Sequence, residues 1–292
     1  MNEFEYGESN LGIRARVIAD SVNPDDDRLT TIEATFNRFI LAEVNTHRML
    51  SRNSASSRAI PVTKIMSQVF RNPAVPVAWG KNQKGMQARA ELSGWRRAVA
   101  RRLFLWARYP ALVFAWLLTK VGLHKQITNR ILEPWMWHTA IISSTEWENL
   151  FIQRCSPDAQ PEFRELAECM RRARAHSHPR YLEWGEWHTP YVNADDIPVR
   201  MERADCGTND PILTYPKVSS ACCARVSYVR QGNRKSDEED IAFADKLATD
   251  RHFSPLEHPA KATRGRWGNF DGWRQLRKFY DGEDGRVQTA AA

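Results

Sequence analysis

Apolar residues recur along this chain with two different periods, and the change between them predicts where strands give way to helices. Ile13, Ala15 and Val17 alternate with Arg14 and Arg16, the period of a short strand over residues 13–18. From Thr35 the spacing lengthens. Phe36, Ile40 and Val44 stand four apart with Phe39 beside them, predicting a helix with one buried face that leads to Thr46, His47 and Arg48. Residues 51–57 are mostly small and polar, and Pro61 closes them, so this stretch reads as a loop at a helix end.

Residues 79–87, rich in Gly, Asn, Lys and Gln, predict a surface loop, and residues 88–108 a helix with arginines on its wet side. After Pro110 an apolar helix runs to Val121 and Gly122 can end it. A further helix begins near His124 and includes Arg130, Pro134 kinks or breaks it, and helical spacing resumes over residues 145–153. Ser156-Pro157-Asp158 reads as a cap before a helix over residues 162–174. Residues 176–216 are full of turns and aromatics. Ala224-Arg225-Val226-Ser227-Tyr228 can close a strand or begin a helix. Ser236, followed by Glu238 and Glu239, opens a helix over residues 237–248.

No internal repeat or linker divides the chain, so the expected architecture is one α/β catalytic domain over residues 1–292. Within it, residues 13–174 form a first half, 175–216 an aromatic-rich insertion, 217–280 a second half and 281–292 a flexible tail. The acidic, polar first twelve residues lack the basic and apolar regions of a secretory leader, which predicts a cytoplasmic protein. The apolar stretch 103–121 is interrupted by Arg108, Tyr109 and Pro110, which argues for a buried or partner-facing helix and against a membrane span.

A formal net charge of +7 points to anionic ligands: nucleic acid, phosphorylated small molecules, or only a solvated basic surface. Cys155, Cys169, Cys206, Cys222 and Cys223 lack the spacing of a zinc or dithiol motif and read as reduced thiols. The densest chemistry lies in residues 45–58, where His47, Arg48, Arg52 and Arg58 are interleaved with Ser51, Asn53, Ser54, Ser56 and Ser57. Guanidinium groups grip phosphate bidentately and short hydroxyls complete an oxyanion shell. On those grounds alone the segment suits RNA, a nucleotide, or a plain basic loop.

Four other groups stand out. His252 and His258 flank Ser254, Pro255 and Glu257, but no third ligand is set by spacing, so no metal is expected and a hydrogen-bonding cofactor loop is preferred. Arg130, Asn149 and Arg154 can flank a cleft if a helix ends at Arg154. Trp184, Trp187 and His188, and likewise Trp267, Phe270 and Trp273, can stack a planar ligand with His188 on an anion, or line core and interfaces. A Gly-rich dinucleotide fingerprint, a Walker loop and a Gly-Xaa-Ser-Xaa-Gly elbow are all missing.

The run His47 to Arg58 resembles the signature of flavin-dependent thymidylate synthases: Arg-His-Arg, seven arbitrary residues, then Ser. His47, Arg48 and Ser56 fall at that spacing, with Thr46 where the first arginine stands. Thr-His-Arg followed by Ser-Arg-Asn and Ser-Ser-Arg-Ala resembles phage-type members. Arg130-Ile131-Leu132 with Pro134 is similar to the family's second arginine segment, although Glu133 intervenes. Asn149 through Arg154, Ala159-Gln160 and Glu162-Phe163 resemble the next helix and turn. Ala224 to Tyr228 and the Ser254-Pro255-Leu256-Glu257-His258 run resemble its Ala-Arg-Val-Ser and Thr-Pro-Phe-Glu-His segments. In compact bacterial members the Ala-Arg-Val-Ser segment comes first, so the motif order here looks permuted.

The resemblance implies a non-Rossmann FAD site in a homotetramer whose active sites are shared between chains. His47, Arg48, Asn149, Ser227, Ser254 and Glu257 match flavin-contacting positions, and His252 a histidine near the reacting ring. Ser56, Arg58, Arg130 and Arg154 match residues that hold dUMP, and Ser54 stands where a nucleotide-binding glutamate is expected. The implied reaction transfers a methylene group from methylenetetrahydrofolate to carbon 5 of dUMP, with NADPH reducing FAD and no cysteine nucleophile. Arg154 is the expected stabiliser of charge on the uracil, with Ser56 and His252 beside the reacting atoms. Two alternatives stay open: a flavin and folate hydroxymethylase, and a nonenzymatic basic protein that binds nucleotide or RNA.

Overall fold

The computed structural model describes residues 12–192, 214–226 and 235–280. At its centre is strand β2 (Arg28–Asn37), buried on both faces along nearly its whole length. It pairs antiparallel with β1 (Arg14–Val22) on one side and β4 (Trp137–Ser144) on the other. β3 (Ser51–Ser54) pairs antiparallel with β4, and the short β5 (Arg180–Tyr181) runs parallel to β1, giving the order β3-β4-β2-β1-β5.

Two expectations fail here. The Phe36, Ile40, Val44 spacing does not mark one helix: Phe36 lies in β2, and only Leu41–Val44 forms a helical turn, α1. The i, i+4 coincidence spans a strand end, a 3-10 turn at Arg38–Ile40 and that helix. Residues 51–57 are not all loop either, because Ser51–Ser54 pairs as the edge strand β3. Cross-strand hydrogen bonding to Ile141, Ile142 and Ser143 outweighs the small polar composition.

One face of the sheet is apolar. Ile32, Ala34, Phe36, Ala140 and Ile142 meet Phe163, Leu166, Cys169, Met170 and Ala173 of α7 (Pro161–His176). The apolar stripe of α7 makes this the main core, and α6 (Glu148–Arg154) packs beside it through Leu150 and Phe151. Gln160 caps α7 without a side-chain bond, while Ser156 Oγ instead accepts from Asp158 N, so the expected cap forms only a local turn.

The opposite face is polar and equally buried. Thr31 Oγ bonds Ser143 Oγ (2.7 Å) and His188 Nε2 (2.8 Å), Ser21 Oγ bonds His188 Nδ1 (2.8 Å), and Ser143 Oγ bonds His258 Nδ1 (2.8 Å). His188, allowed on sequence grounds to contact an anion, is consumed by this hydroxyl chain. Tyr191 donates to Glu33 at 2.6 Å on the same face. This face also receives α8 (Thr214–Ala224) through Cys223 and Val226, which pack with Ile141. Arg225 therefore follows the end of a helix. It pairs with the buried Asp240 of α9 (Asp237–Thr249), which opens on the capping box of Ser236 and Glu239.

A second sheet, ordered β6-β7-β8, joins β6 (Trp187–His188), β7 (Ala260–Trp267) and β8 (Phe270–Gln275). Gly272 shows how the β1–β2 turn docks onto it. Its φ is +74°, its carbonyl accepts from Asn23 Nδ2, and a Cβ there would overlap the side chains of Asp27 and Asn23. Leu29 of β2 packs with Leu182, Ala260, Phe270 and Trp273 to form the core between the sheets.

Between β3 and β4 the chain forms α2 (Val62–Arg71), α3 (Gly94–Trp106), α4 (Arg108–Lys120) and α5 (Lys125–Thr128). Helix α3 begins six residues later than expected, at Gly94 after Ser93, and Pro110 sits inside the first turn of α4, where its missing N–H costs nothing. Arg130 falls in a 3-10 segment, Asn129–Trp135, which accommodates Pro134. Trp95, Leu103, Trp106, Val113, Phe114 and Trp116 leave an apolar surface exposed on α3 and α4. No helix among the described residues is long and apolar enough to cross a membrane.

Candidate active site

The segment after α1 carries the residues with the most chemistry, and its own side chains tie it down. Arg52 donates to the carbonyls of Val44 (2.9 Å) and His47 (2.7 Å), folding the turn between α1 and β3 back on itself. Asn269, in the turn between β7 and β8, donates to Met49 O (3.0 Å) and Ser51 Oγ (3.1 Å), and Gln275 reaches the same hydroxyl at 3.0 Å. Asn53 Nδ2 donates to Cys223 O (2.8 Å), linking β3 to the end of α8. Asn129 donates to Ser57 O (2.7 Å) and Ile60 O (3.0 Å). Ser51, Arg52 and Asn53 therefore hold the segment, while Arg48, Ser56 and Arg58 stay exposed and Ser54 is half-buried.

Across the turn, α6 ends at Arg154, as the cleft arrangement requires. Arg154 Nε donates to His47 Nε2 at 2.8 Å, and Nη2 reaches Thr46 Oγ at 3.4 Å. Both side chains rest on Phe163: the imidazole edge-on at 5.6 Å and the guanidinium 4.7 Å from the ring centre. Because arginine only donates, His47 Nε2 must be the acceptor and its proton sits on Nδ1. Burial, then the charges of Arg154 and Arg52, push the His47 pKa down and keep the ring neutral. No carboxylate among the described residues pairs with Arg154, so the rest of its fork is available to an anion.

Glu257 lies on the 3-10 turn Ser254–Glu257, bonded to Arg277 at 2.5 Å. Burial lowers the Arg52 pKa and the Glu257 charge opposes that shift, which puts Glu257 within electrostatic reach of the signature turn. Arg130 is exposed and shares Glu133 with Arg38, at 3.3 and 3.4 Å. Its neighbour Asn129 holds Ser57, so Arg58 and Arg130 flank one hydrogen-bonded junction.

His252, Ser254 and Asn149 are exposed, and among the described residues no side-chain hydrogen bond ties His252 or Ser254 to the signature turn. Asn149 accepts from Gln153 at 3.1 Å. Ser227 and Cys206 lie outside the described residues. His252 and buried His258 share no metal-type cluster; none forms among the described residues.

Burial disfavours the thiolate at two of the described cysteines, Cys155 and Cys223. Cys155 is raised above its ordinary pKa by burial, which outweighs the opposing charges of Arg171 and Arg172. Cys223 is pushed well up by full burial and by Cys222 beside it. Sequence reasoning gave Arg52, Asn269 and Gln275 no individual role. Asn129, beside Arg130, belongs with them. Their work is to orient backbone, which residue type alone does not announce.

No protein-family model and no curated protein matches the chain. Among solved structures it is similar to a UMP/dUMP methylase, PolB, from Streptomyces cacaoi, bound with 5-Br dUMP. The identity is 16% over 56% of this chain and 90% of that one, with a TM-score of 0.46. It is also similar to Thymidylate Synthase X (ThyX) from Helicobacter pylori with FAD and dUMP, at 15% identity over 50% of this chain and 67% of that one, TM-score 0.33. At these identities and scores the functional reading rests on the chain's own residues.

Proposed function

We propose that this chain is a flavin-dependent enzyme that methylates dUMP to dTMP, taking carbon from methylenetetrahydrofolate and reducing power from NADPH. The observation that carries the reading is the direct His47–Arg154 hydrogen bond. It unites two motif segments 107 positions apart, each of which resembles the thymidylate synthase pattern independently.

The residues present suit the two anionic groups. Arg48 and Arg58 are exposed, have no carboxylate partner among the described residues, and flank Ser54 and Ser56. Such cations with short hydroxyls form a phosphate clamp. FAD, when bound, supplies the hydride chemistry. His47, neutral and protonated at Nδ1, would offer one N–H donor to the flavin beside Arg48. Arg154, with its guanidinium carbon 4.7 Å from the Phe163 ring centre, would offer a preorganised positive fork to negative charge developing on a uracil. Ser56 orients the base, and among the described residues no histidine–carboxylate pair activates it.

Oligomeric assembly fits the same reading. The exposed apolar surface of α3 and α4 suits coverage by further copies of the chain, in keeping with a homotetramer. Incubating the protein with dUMP, FAD, NADPH and methylenetetrahydrofolate, then weighing the nucleotide by mass spectrometry, tests the activity. Thymidylate is expected. A hydroxymethylated product assigns the chain to the related hydroxymethylase class, and unchanged dUMP contradicts the proposal.

A further inference from the structure

The second sheet carries a basic cleft that the flavin and dUMP reading leaves unused. It is open, about 560 Å³ in volume, and lined on its polar side by Lys261, Arg264 and Arg274 and on its aromatic side by Trp184 and Phe279. That volume lies within the range of small-molecule and cofactor sites. No carboxylate lines it, and none among the described residues pairs with any of the three cations.

The cleft is held in shape by its surroundings. Trp184 packs against the core of Leu182, Ala260 and Trp273. Backbone bonds from Gly185 N to Ala262 O (3.0 Å) and from Ala262 N to Glu186 O (2.9 Å) clamp its turn to β7. Arg274 lies 4.7 Å from the Trp267 ring and 4.0 Å from Phe279, donates from Nη2 to Lys278 O at 2.8 Å, and buries an unpartnered Nε. Arg264 sits 5.5 Å from the Trp184 ring. Three cations without carboxylate partners therefore share one open cleft with two aromatic rings, a lining that suits an anionic group joined to a planar ring.

We infer that this cleft binds a co-substrate in which a planar heteroaromatic ring is joined to an anionic tail. The ring would lie on Trp184 or Phe279, and the tail among Lys261, Arg264 and Arg274. Only the choice of ligand rests on the proposed function. Within that reaction the two sources of this chemistry are the folyl carbon donor, with its carboxylates, and the nicotinamide dinucleotide, with its phosphates.

Isothermal titration of the full chain with folic acid and, separately, with NADP⁺ tests the inference. The proteins compared are wild type, Lys261→Gln/Arg264→Gln and Trp184→Leu, with circular dichroism as the folding check. At least one probe is expected to bind wild type. Its affinity is expected to fall tenfold or more in the double variant and severalfold in Trp184→Leu, while dUMP affinity and bound flavin stay as in wild type. Which probe responds identifies the source. The inference is overturned if neither probe binds, if the variants bind as wild type does, or if flavin and dUMP binding are lost along with the probe. A colourless protein that ignores dUMP yet binds a probe through Lys261 and Arg264 would sink the flavin reading and leave the cleft standing.

Discussion

The two faces of the five-stranded sheet are buried to a similar degree by opposite means. Towards α7, Ile32, Ala34, Phe36 and Ile142 meet Phe163, Leu166 and Met170 in a dry, close-packed layer. On the other side, Thr31, Glu33, Ser143, His188 and His258 are covered just as fully, and hydrogen bonds satisfy most of their polar atoms. The dry face derives stability from area removed from water, and the polar face from leaving few donors and acceptors unpaired. The difference also divides labour. The dry face supplies the platform under His47 and Arg154, while the polar face joins the second sheet to the first.

The comparison breaks most severely at Phe163, which belongs to the dry core and supports both site residues. Phe163→Ala is expected to cost about 3–5 kcal/mol through the cavity it leaves. Urea unfolding measures this, and a loss below ~1 kcal/mol would mean that the layer is not close-packed there.

Acid attacks the polar face through two buried histidines. Burial lowers His188 to about 4 and His258 to about 3, from an ordinary 6.5. Both must therefore stay neutral in the folded chain, whereas the unfolded chain takes up their protons below pH 6.5. Stability is full above that pH and falls as pH drops through it towards the folded values. The slope is about 1.4 kcal/mol per pH unit for each histidine. His138, lowered to about 3 by burial and Arg38, adds in the same direction. Unfolding free energies between pH 7 and pH 4 check this, and His188→Gln should flatten the curve.

Thr31→Val probes the same network at constant pH. It deprives His188 Nε2 and Ser143 Oγ of a partner and should cost about 1–3 kcal/mol, against about 0.5–1.5 kcal/mol for Ile32→Val next to it on the dry face. Equal costs would erase the distinction. The smallest effect is expected from Cys155→Ser, which should fold and retain thymidylate formation because the proposed reaction requires no thiolate. A folded variant that binds dUMP and flavin but makes no thymidylate would restore a cysteine mechanism.

The same contrast explains how much could be read in advance. Helix α7 was legible because only one of its faces is apolar, and α9 because Ser236 and Glu239 form its cap. Strands β2 and β4 escaped. Thr31, Glu33, Thr35 and Ser143 look solvent-facing but are buried against hydroxyls and imidazoles, and the Phe36, Ile40, Val44 spacing imitates a helix. Residues 45–58 stood out by composition, and a helix ending at Arg154 was the condition set for a cleft there, which α6 meets. The His47–Arg154 contact was not, since only the packing of α6 and α7 against the sheet creates it. Anchors such as Arg52, Asn129 and Asn269 bond to backbone carbonyls, which leaves no trace in local sequence.

The central claim is that His47 and Arg154 mark one place where flavin and pyrimidine nucleotide meet. The most direct test is the visible absorbance spectrum of the purified protein, reconstituted with FAD and titrated with dUMP, for wild type and Arg154→Ala. Wild type should retain the flavin through gel filtration, and its bands should shift on addition of dUMP. Arg154→Ala should keep the flavin but lose the dUMP response, with turnover reduced by about 10²–10³-fold. A wild-type protein that retains no flavin, or an Arg154→Ala spectrum that responds to dUMP as wild type does, would contradict the account.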